Sequence, residues 1–256
     1  MEGAILKTYY AKKMNLNPED IYVVSIMPCT VKKYESERSE LSEEFLPDVD
    51  AVLTTRELVR MFKMYGIEFS DLPDGEFDNP LGESTGAAAI FGTSGGVMQA
   101  ALRTAYFKLT GKNLETLNFE ELRGSAGIKE STVNINGLEV NIAVVNGIGN
   151  IGSILDEIES GVSKYHFIEV MACPNGCING GGQPIHQKTD KVIERVKALY
   201  AIDDKAKHRM SHENESVQKI YYDFFIEPNS HKAHEILHTS YTDRKEALRE
   251  SVPPIK

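Results

Sequence analysis

From Ile21 to Met27 the chain reads "IYVVSIM", a short apolar run rich in β-branched residues, introduced by Pro18 and ended by Pro28. A run of that length and composition predicts a buried strand. "DAVLTT" (residues 50–55) predicts a second strand, running straight into the amphipathic pattern "RELVRMFKMYG", with Gly66 as the helix stop. The next stretch, "FSDLPDGEFDNPLGESTGAA", is dense in Gly, Pro, Asp and Asn and predicts an irregular loop. "IFGTSGGVMQAALRTAYFKL" reads as a glycine-rich turn opening a helix. Two apolar or alternating runs flank Asn136-Gly137, a strong hairpin signal. "YHFIEVM" (residues 165–171) predicts another buried strand, and from Lys188 onward the pattern is helical and charged, breaking at Pro228. At the amino end, Ala4, Ile5, Tyr9 and Tyr10 have the spacing of an amphipathic helix. The expected class is α/β, strands alternating with helices, with reactive loops at the carboxyl ends of strands and a helical carboxyl-terminal segment.

Composition bounds the function without choosing it. The 256 residues suffice for one large domain or two modest ones, and 41% hydrophobic with 26% charged residues is ordinary for a soluble globular chain. A net charge of −10 argues against a nucleic-acid or membrane-surface binder, which would present a basic face. No apolar run approaches the ~20 residues needed to span a bilayer, and "MEGAILKTYYAKK" lacks the features of a signal peptide. The expectation is a cytoplasmic protein, where three cysteines are not there for disulfides.

Two strands deliver cysteine at their carboxyl ends: Cys29 in "SIMPCTVKK", and Cys173 with Cys177 in "VMACPNGCINGGGQP". A lone cysteine is most often a small buried hydrophobe, and Cys29 by itself reads as well that way as it does as a ligand. The pair has less claim to that role, because its neighbours Pro174, Asn175 and Gly176 are loop formers. A structural zinc site prefers Cys-x-x-Cys spacing and a fourth ligand, and neither His166 nor His186 stands in a ligand-like relation to the cysteines. A catalytic thiol leaves the glycine triplet Gly180, Gly181, Gly182 and the following Gln183 unexplained. An iron–sulfur cluster fits best, since its sulfides accept backbone N–H hydrogen bonds that bulky side chains would block.

Other candidates have plainer explanations. Phe91 to Gly96 has the look of a phosphate-cradling turn, but without the Gly-Lys-Ser/Thr ending of a P-loop. His231, His234 and His238 fall at helical spacing and read as solvated faces of a short helix before a metal site. "ESERSELSEE" is a solvated charged stretch, and "SHENESVQKIYYDFF" reads as a Ser-capped helix with a packing stripe of Val217, Tyr221, Phe224 and Phe225.

Taken in order, "SIMPCTVKKYE", "FGTSGGVMQAALRTA", "RGSAGIKE", "EVMACPNGCINGGGQP" and "HEILHTSY" closely resemble the catalytic domain of the di-iron (iron-only, FeFe) hydrogenases, and the likeness covers nearly the whole chain. The resemblance implies an H-cluster: a cubane 4Fe-4S cluster bridged by a cysteine to a di-iron centre with carbonyl, cyanide and dithiolate ligands. That group interconverts protons plus electrons and hydrogen. It implies that Cys29 and Cys173 ligate the cubane and that Cys177 bridges it to the di-iron centre. Met27, Phe91 and Met171 would line the di-iron pocket, and Lys32 would bond a cyanide ligand; the plainer role for Lys32 is a surface pair with Glu35. Residues 1–189 would form the cluster-binding lobe, and residues 190–256 a helical segment and tail that some relatives make as a separate small subunit. The family's first cysteine motif is absent, and with it the fourth cubane ligand and the proton-passing cysteine. The sequence thus resembles the carboxyl-terminal part of a hydrogenase, inactive alone. Its implied partners are an amino-terminal portion or separate subunit carrying that motif, ferredoxin or NAD(P)-linked electron-transfer subunits, and hydrogenase maturation proteins. The alternative is a Narf-like iron–sulfur assembly or carrier protein, which shares the cysteine motifs but holds a plain cluster.

Overall fold

The computed structural model describes residues 1–43, 46–123, 126–185 and 190–243. His186, part of the charged stretch at Glu44, and Gly124 and Ser125 of "RGSAGIKE" lie outside them. The chain begins with helix α1 (Glu2–Ile5), a π-helical turn and α2 (Ala11–Met14), ended by Asn15 in the left-handed conformation. Strand β1 (Val24–Met27) and helix α3 (Val31–Ser36) follow, then short strands β2 (Ser42–Glu43) and β3 (Leu46–Pro47), and β4 (Ala51–Thr54). β4 runs into α4 (Thr55–Met64), which starts where the pattern requires: the Thr54 hydroxyl accepts from the Glu57 amide, and the Glu57 carboxylate accepts from the Thr54 amide. After the irregular loop come α5 (Gly86–Ile90) and α6 (Gly96–Thr110), then β5 (Ile128–Ile135), β6 (Leu138–Asn146), α7 (Gly152–Glu159) and β7 (Phe167–Met171). The carboxyl-terminal elements are α8 (Asp190–Lys205), α9 (Glu215–Ile220), a π-helical turn and α10 (His231–Leu237). No helix of the described residues is long and apolar enough to cross a membrane.

Two compact units interleave along the chain. One comprises residues 1–25, 31–52 and 220–256; the other comprises 26–30 and 53–219. In the first, Lys7 is buried and satisfied, donating to the Pro47 carbonyl at 2.6 Å and to both Asp50 oxygens at 2.7 and 2.9 Å. Tyr9, Phe224, Phe225 and Tyr221 form a ring cluster beside it.

The second unit is organised by β6. It pairs antiparallel with β5 through the Asn136-Gly137 turn, whose two positive φ angles suit the hairpin, and parallel with β7 through α7. Both faces of β6 are covered. Ile142 and Val144 join Met98, Leu102, Phe119 and Leu122 on one side, while Ala143 and Val145 meet Ile154 on the other. α8 is tied to α6 by Arg103, which is fully buried and donates to both Asp203 carboxylate oxygens at 2.8 and 2.9 Å and to the Leu117 and Arg209 carbonyls. A buried charge is tolerated when its hydrogen-bonding groups are satisfied in this way.

Two expectations need correction. β1 is not buried: in its two-stranded sheet with β4, Val24 and Ile26 are about half exposed, because a sheet of two strands leaves a face without a neighbouring layer. The helix expected from Ser211 begins at Glu215 instead. Ser211 sits in a 3-10 turn, Asn214 Oδ1 accepts from the Val217 amide as the cap, and Val217 itself is exposed.

Candidate metal centre

All three cysteines belong to the second unit, and none is in a disulfide. Cys29 follows β1 by one residue beyond Pro28, and Cys173 follows β7 by one residue beyond Ala172. Both are part-buried; Cys177, opening a short 3-10 turn, is exposed.

The glycine triplet joins the two cysteine loops. The Gly182 amide donates to the Pro28 carbonyl at 2.8 Å, and the Gly182 carbonyl accepts from the Arg56 amide at 3.1 Å. Arg56 Nη2 also donates to the Gly181 carbonyl at 2.7 Å. A Cβ on Gly180 would sit 2.3 Å from the Pro28 carbonyl oxygen, and one on Gly182 would sit 2.9 Å from both the Pro28 carbonyl carbon and Thr54 Cβ. Neither space admits a side chain. The close approach that the triplet allows is therefore to the residue preceding Cys29 and to the end of β4, so that the Cys177 loop lies against the Cys29 loop. Gly181 is less confined, its nearest neighbour being Thr30 Oγ1 at 3.3 Å. Gln183 closes the turn, its amide donating to the Gly180 carbonyl at 3.0 Å.

The turn at residues 91–96 is fastened to the same place. The Ser94 amide donates to the Asn175 carbonyl at 3.2 Å, and the Ile178 amide to the Gly92 carbonyl at 3.0 Å. Gly176 has φ +92°, and a Cβ there would lie 2.6 Å from Ser94 N. From the other side, the buried Asn146 accepts the Asn175 amide on Oδ1 at 2.5 Å. Met27 and Met171, at the ends of β1 and β7, are part-buried; Phe91, closing α5, is 47% exposed. Lys32 lies in α3, in the first unit, and donates to both Glu35 oxygens at 2.6 Å.

Two residues that lie inside the quoted motifs, but to which the sequence alone assigns no role, organise this turn. The buried Glu169 on β7 accepts from the Gly95 amide at 2.6 Å and the Met98 amide at 2.7 Å, occupying the N-terminus of α6. Amides that a phosphate would need are thus already given to a carboxylate, which removes the nucleotide reading of the glycine turn. Buried Lys129 on β5 donates to the Ser94 carbonyl at 3.0 Å and to Ser94 Oγ at 3.2 Å. Sheet register places Lys129, Val144 and Glu169 in one row across three strands. Burial pushes the Glu169 carboxyl up, partly offset by the two amides and by Lys129. Burial likewise pushes Lys129 down to about 8, with Glu169 opposing.

Among the described residues no three His, Cys, Asp or Glu side chains converge as a single metal ion would require. A cluster takes its thiolates one per iron, spread around it, and so makes a different demand. His166 is engaged elsewhere, its Nδ1 accepting from the Asn141 amide at 3.0 Å. His231 is exposed, and His234 and His238 pack ring to ring in the first unit. Thiols in no disulfide on interlocked loops, together with the sulfur-bearing Met27 and Met171, suit an iron–sulfur cluster in the chemistry of the donor set.

Comparison with known proteins agrees with this motif set. The family model described as "Iron only hydrogenase large subunit, C-terminal domain" matches residues 1–181, and "Iron hydrogenase small subunit" matches residues 189–244. The NADP-reducing hydrogenase subunit HndD of Solidesulfovibrio fructosivorans is 48% identical over 96% of this chain and 42% of its own length. The structure of an apo FeFe hydrogenase from Chlamydomonas reinhardtii superposes with a TM-score of 0.80 at 40% identity, covering 94% of this chain and 67% of that one. A more distant relative, the cytosolic Fe-S cluster assembly factor narfl of Xenopus tropicalis, is 32% identical over 93% of the chain and 51% of its own length. The chain thus spans about half the length of the curated relatives it matches.

Proposed function

The chain belongs to the iron-only hydrogenase family as its large-subunit carboxyl-terminal domain, and on that premise we propose that Cys29, Cys173 and Cys177 hold a 4Fe-4S cluster within an H-cluster. The protein of which it is part would interconvert hydrogen with protons and electrons. The observation that carries this reading is the stitching of the two cysteine loops, Gly182 amide to Pro28 carbonyl, with no room for a side chain at Gly180 or Gly182. The loop that carries Cys177 is thereby held against the residue preceding Cys29 before any metal arrives.

When bound, the H-cluster supplies the redox centre for hydrogen chemistry. The chain's own part is to bind and shelter it. Cys29 and Cys173 would ligate the cubane, and Cys177 would hold both it and the di-iron centre. Met27, Met171 and Phe91 would exclude water, whereas the Gly180, Gly182 and Gln183 amides already donate to the Cys177, Pro28 and Gly180 carbonyls and so serve the shape of the loop and not sulfides. Lys32, which pairs with Glu35 in the metal-free chain, would as the family resemblance implies donate to a cyanide ligand; a charge-assisted bond of this kind is the stronger sort. Three thiols serve a four-iron cluster incompletely. The fourth ligand and the proton-passing cysteine come, in this proposal, from an amino-terminal portion or separate subunit carrying the first cysteine motif. Ferredoxin or NAD(P)-linked subunits would exchange the electrons, and maturation proteins would install the di-iron centre. A cytoplasmic location is part of the same proposal and is tested by cell fractionation.

The test is hydrogen evolution from reduced viologen. The purified chain alone should give none, and co-production with a polypeptide carrying the first cysteine motif, together with maturation proteins, should restore it. Activity from the chain alone, or none from the completed and matured protein, would contradict the proposal. An assembly factor like the more distant relatives would instead carry a cluster with no carbonyl or cyanide ligands.

A further inference from the structure

We infer that Glu169 and Lys129 are positioning residues for the cysteine loop, acting through the turn at Ser94 and Gly95. Only the last link, from loop to cluster, rests on the function proposed above. The chain of contacts is continuous. Lys129 holds Ser94 by its carbonyl and hydroxyl, and Glu169 holds Gly95 and Met98 by their amides. Ser94 in turn donates to the Asn175 carbonyl, and Gly92 accepts the Ile178 amide, so the turn grips the loop on both sides of Cys177. Gly176 packs directly on the Ser94 amide, leaving no slack for the turn to shift without the loop.

The pair is placed by the sheet and not by a flexible segment. Lys129 and Glu169 flank Val144 in one row of β5, β6 and β7, both buried where a Val or Ile would pack without cost. Burying two charged side chains is unfavourable unless their hydrogen bonds are made. Here Lys129 donates to Ser94 in the turn, and Glu169 accepts from Gly95 in the turn and from Met98 in the first turn of α6, which indicates what the arrangement is for.

The experiment uses the full chain with Glu169→Gln and Lys129→Met. A Gln amide offers one oxygen in place of two, so one of the two backbone amides loses its acceptor. Val133→Ala is the control, since it thins the core beneath β5 without touching the turn. Amide hydrogen exchange in the metal-free chain should quicken at Ser94 and Ile178, relative to Val144, by about tenfold or more, the factor carried by one hydrogen bond to a charged group. After anaerobic iron–sulfur reconstitution, both variants should also lose iron to a chelator about tenfold faster than the Val133→Ala chain. Unchanged exchange ratios in both variants would overturn the inference. So would loosened exchange with iron release equal to the control. If Glu169→Gln fails to fold, Ser94→Ala removes one Lys129 acceptor alone and should shift the same two amides. A chain that takes up no iron contradicts the proposed function, and the exchange ratios then decide the positioning role by themselves.

Discussion

Replacing Gly180 with Ala isolates the contact between the two cysteine loops. Gly180 has ordinary extended backbone angles, φ −66° and ψ 159°, so alanine meets no torsional penalty there. Its Cβ would stand 2.3 Å from the Pro28 carbonyl oxygen and 3.0 Å from the Cys177 carbonyl oxygen. Backbone atoms on both sides cannot swing away as a side-chain tip would. Overpacking of this kind costs about 1–3 kcal/mol. If the loops separate, the Gly182-to-Pro28 hydrogen bond goes too, a further ~0.5–1.5 kcal/mol. The sum, about 1.5–4.5 kcal/mol, corresponds to roughly 3–18 °C in Tm for a chain of this size. Gly181→Ala is the matched control, one residue away, with only Thr30 Oγ1 at 3.3 Å to accommodate. It should stay within about 0.5 kcal/mol of wild type. Thermal unfolding of both variants in the metal-free chain decides the matter. Equal stability of the two would refute the claim that the triplet exists to let the Cys177 loop lie on Pro28.

Three further outcomes follow from the same coordinates. Asp203→Asn should cost about 3–5 kcal/mol by stranding buried Arg103. It should also flatten the acid limb of stability: burial would raise the Asp203 carboxyl, but hydrogen bonds and charge from Arg103 and Arg209 hold it below its ordinary 3.8, so its contribution is lost as pH falls through that lowered value. Lys129 behaves oppositely. Burial lowers it from 10.5 to about 8, so the unfolded chain binds more protons between those values, and urea stability should rise with pH across that window in wild type but not in Lys129→Met. Lys32→Met in the metal-free chain should cost no more than ~1 kcal/mol, like any exposed pair. In the completed, matured enzyme the same change should disturb the cyanide infrared bands, whereas Lys191→Met, which breaks the similar exposed pair with Glu194, should not.

Local chemistry made much of this legible from sequence. The Asn136-Gly137 hairpin and the strand ends at Cys29 and Cys173 are each set within a few residues, and each appears where the pattern places it. What sequence could not show was register and proximity. Glu169 reads as one polar residue in an apolar strand and Lys129 as one of several polar residues in a mixed one; only pairing across β6 puts them in a row beside the same turn. Neighbouring lysines were equally opaque. Lys33, which by position should match Lys32 as a solvated residue, donates to the Val52 carbonyl at 2.8 Å and is not a neutral control. The burial of β1 was overestimated for a related reason, since hydrophobicity reports what a strand tolerates and not how many strands lie beside it. The glycine triplet was recognised as a sign of close approach, but the sequence could not say that Pro28 and Thr54 were what it approached.

Infrared spectroscopy reaches the hydrogenase assignment most directly. The chain would be joined to an amino-terminal portion carrying the first cysteine motif and matured anaerobically with hydrogenase maturation proteins, in wild-type form and as Cys177→Ala. The wild-type protein should show carbonyl and cyanide stretching bands, and Cys177→Ala should lose them if, as proposed, that thiolate holds the di-iron centre to the cubane. A wild-type protein that carries iron and sulfide but shows no such bands would contradict a hydrogenase role and leave a plain cluster carrier in its place.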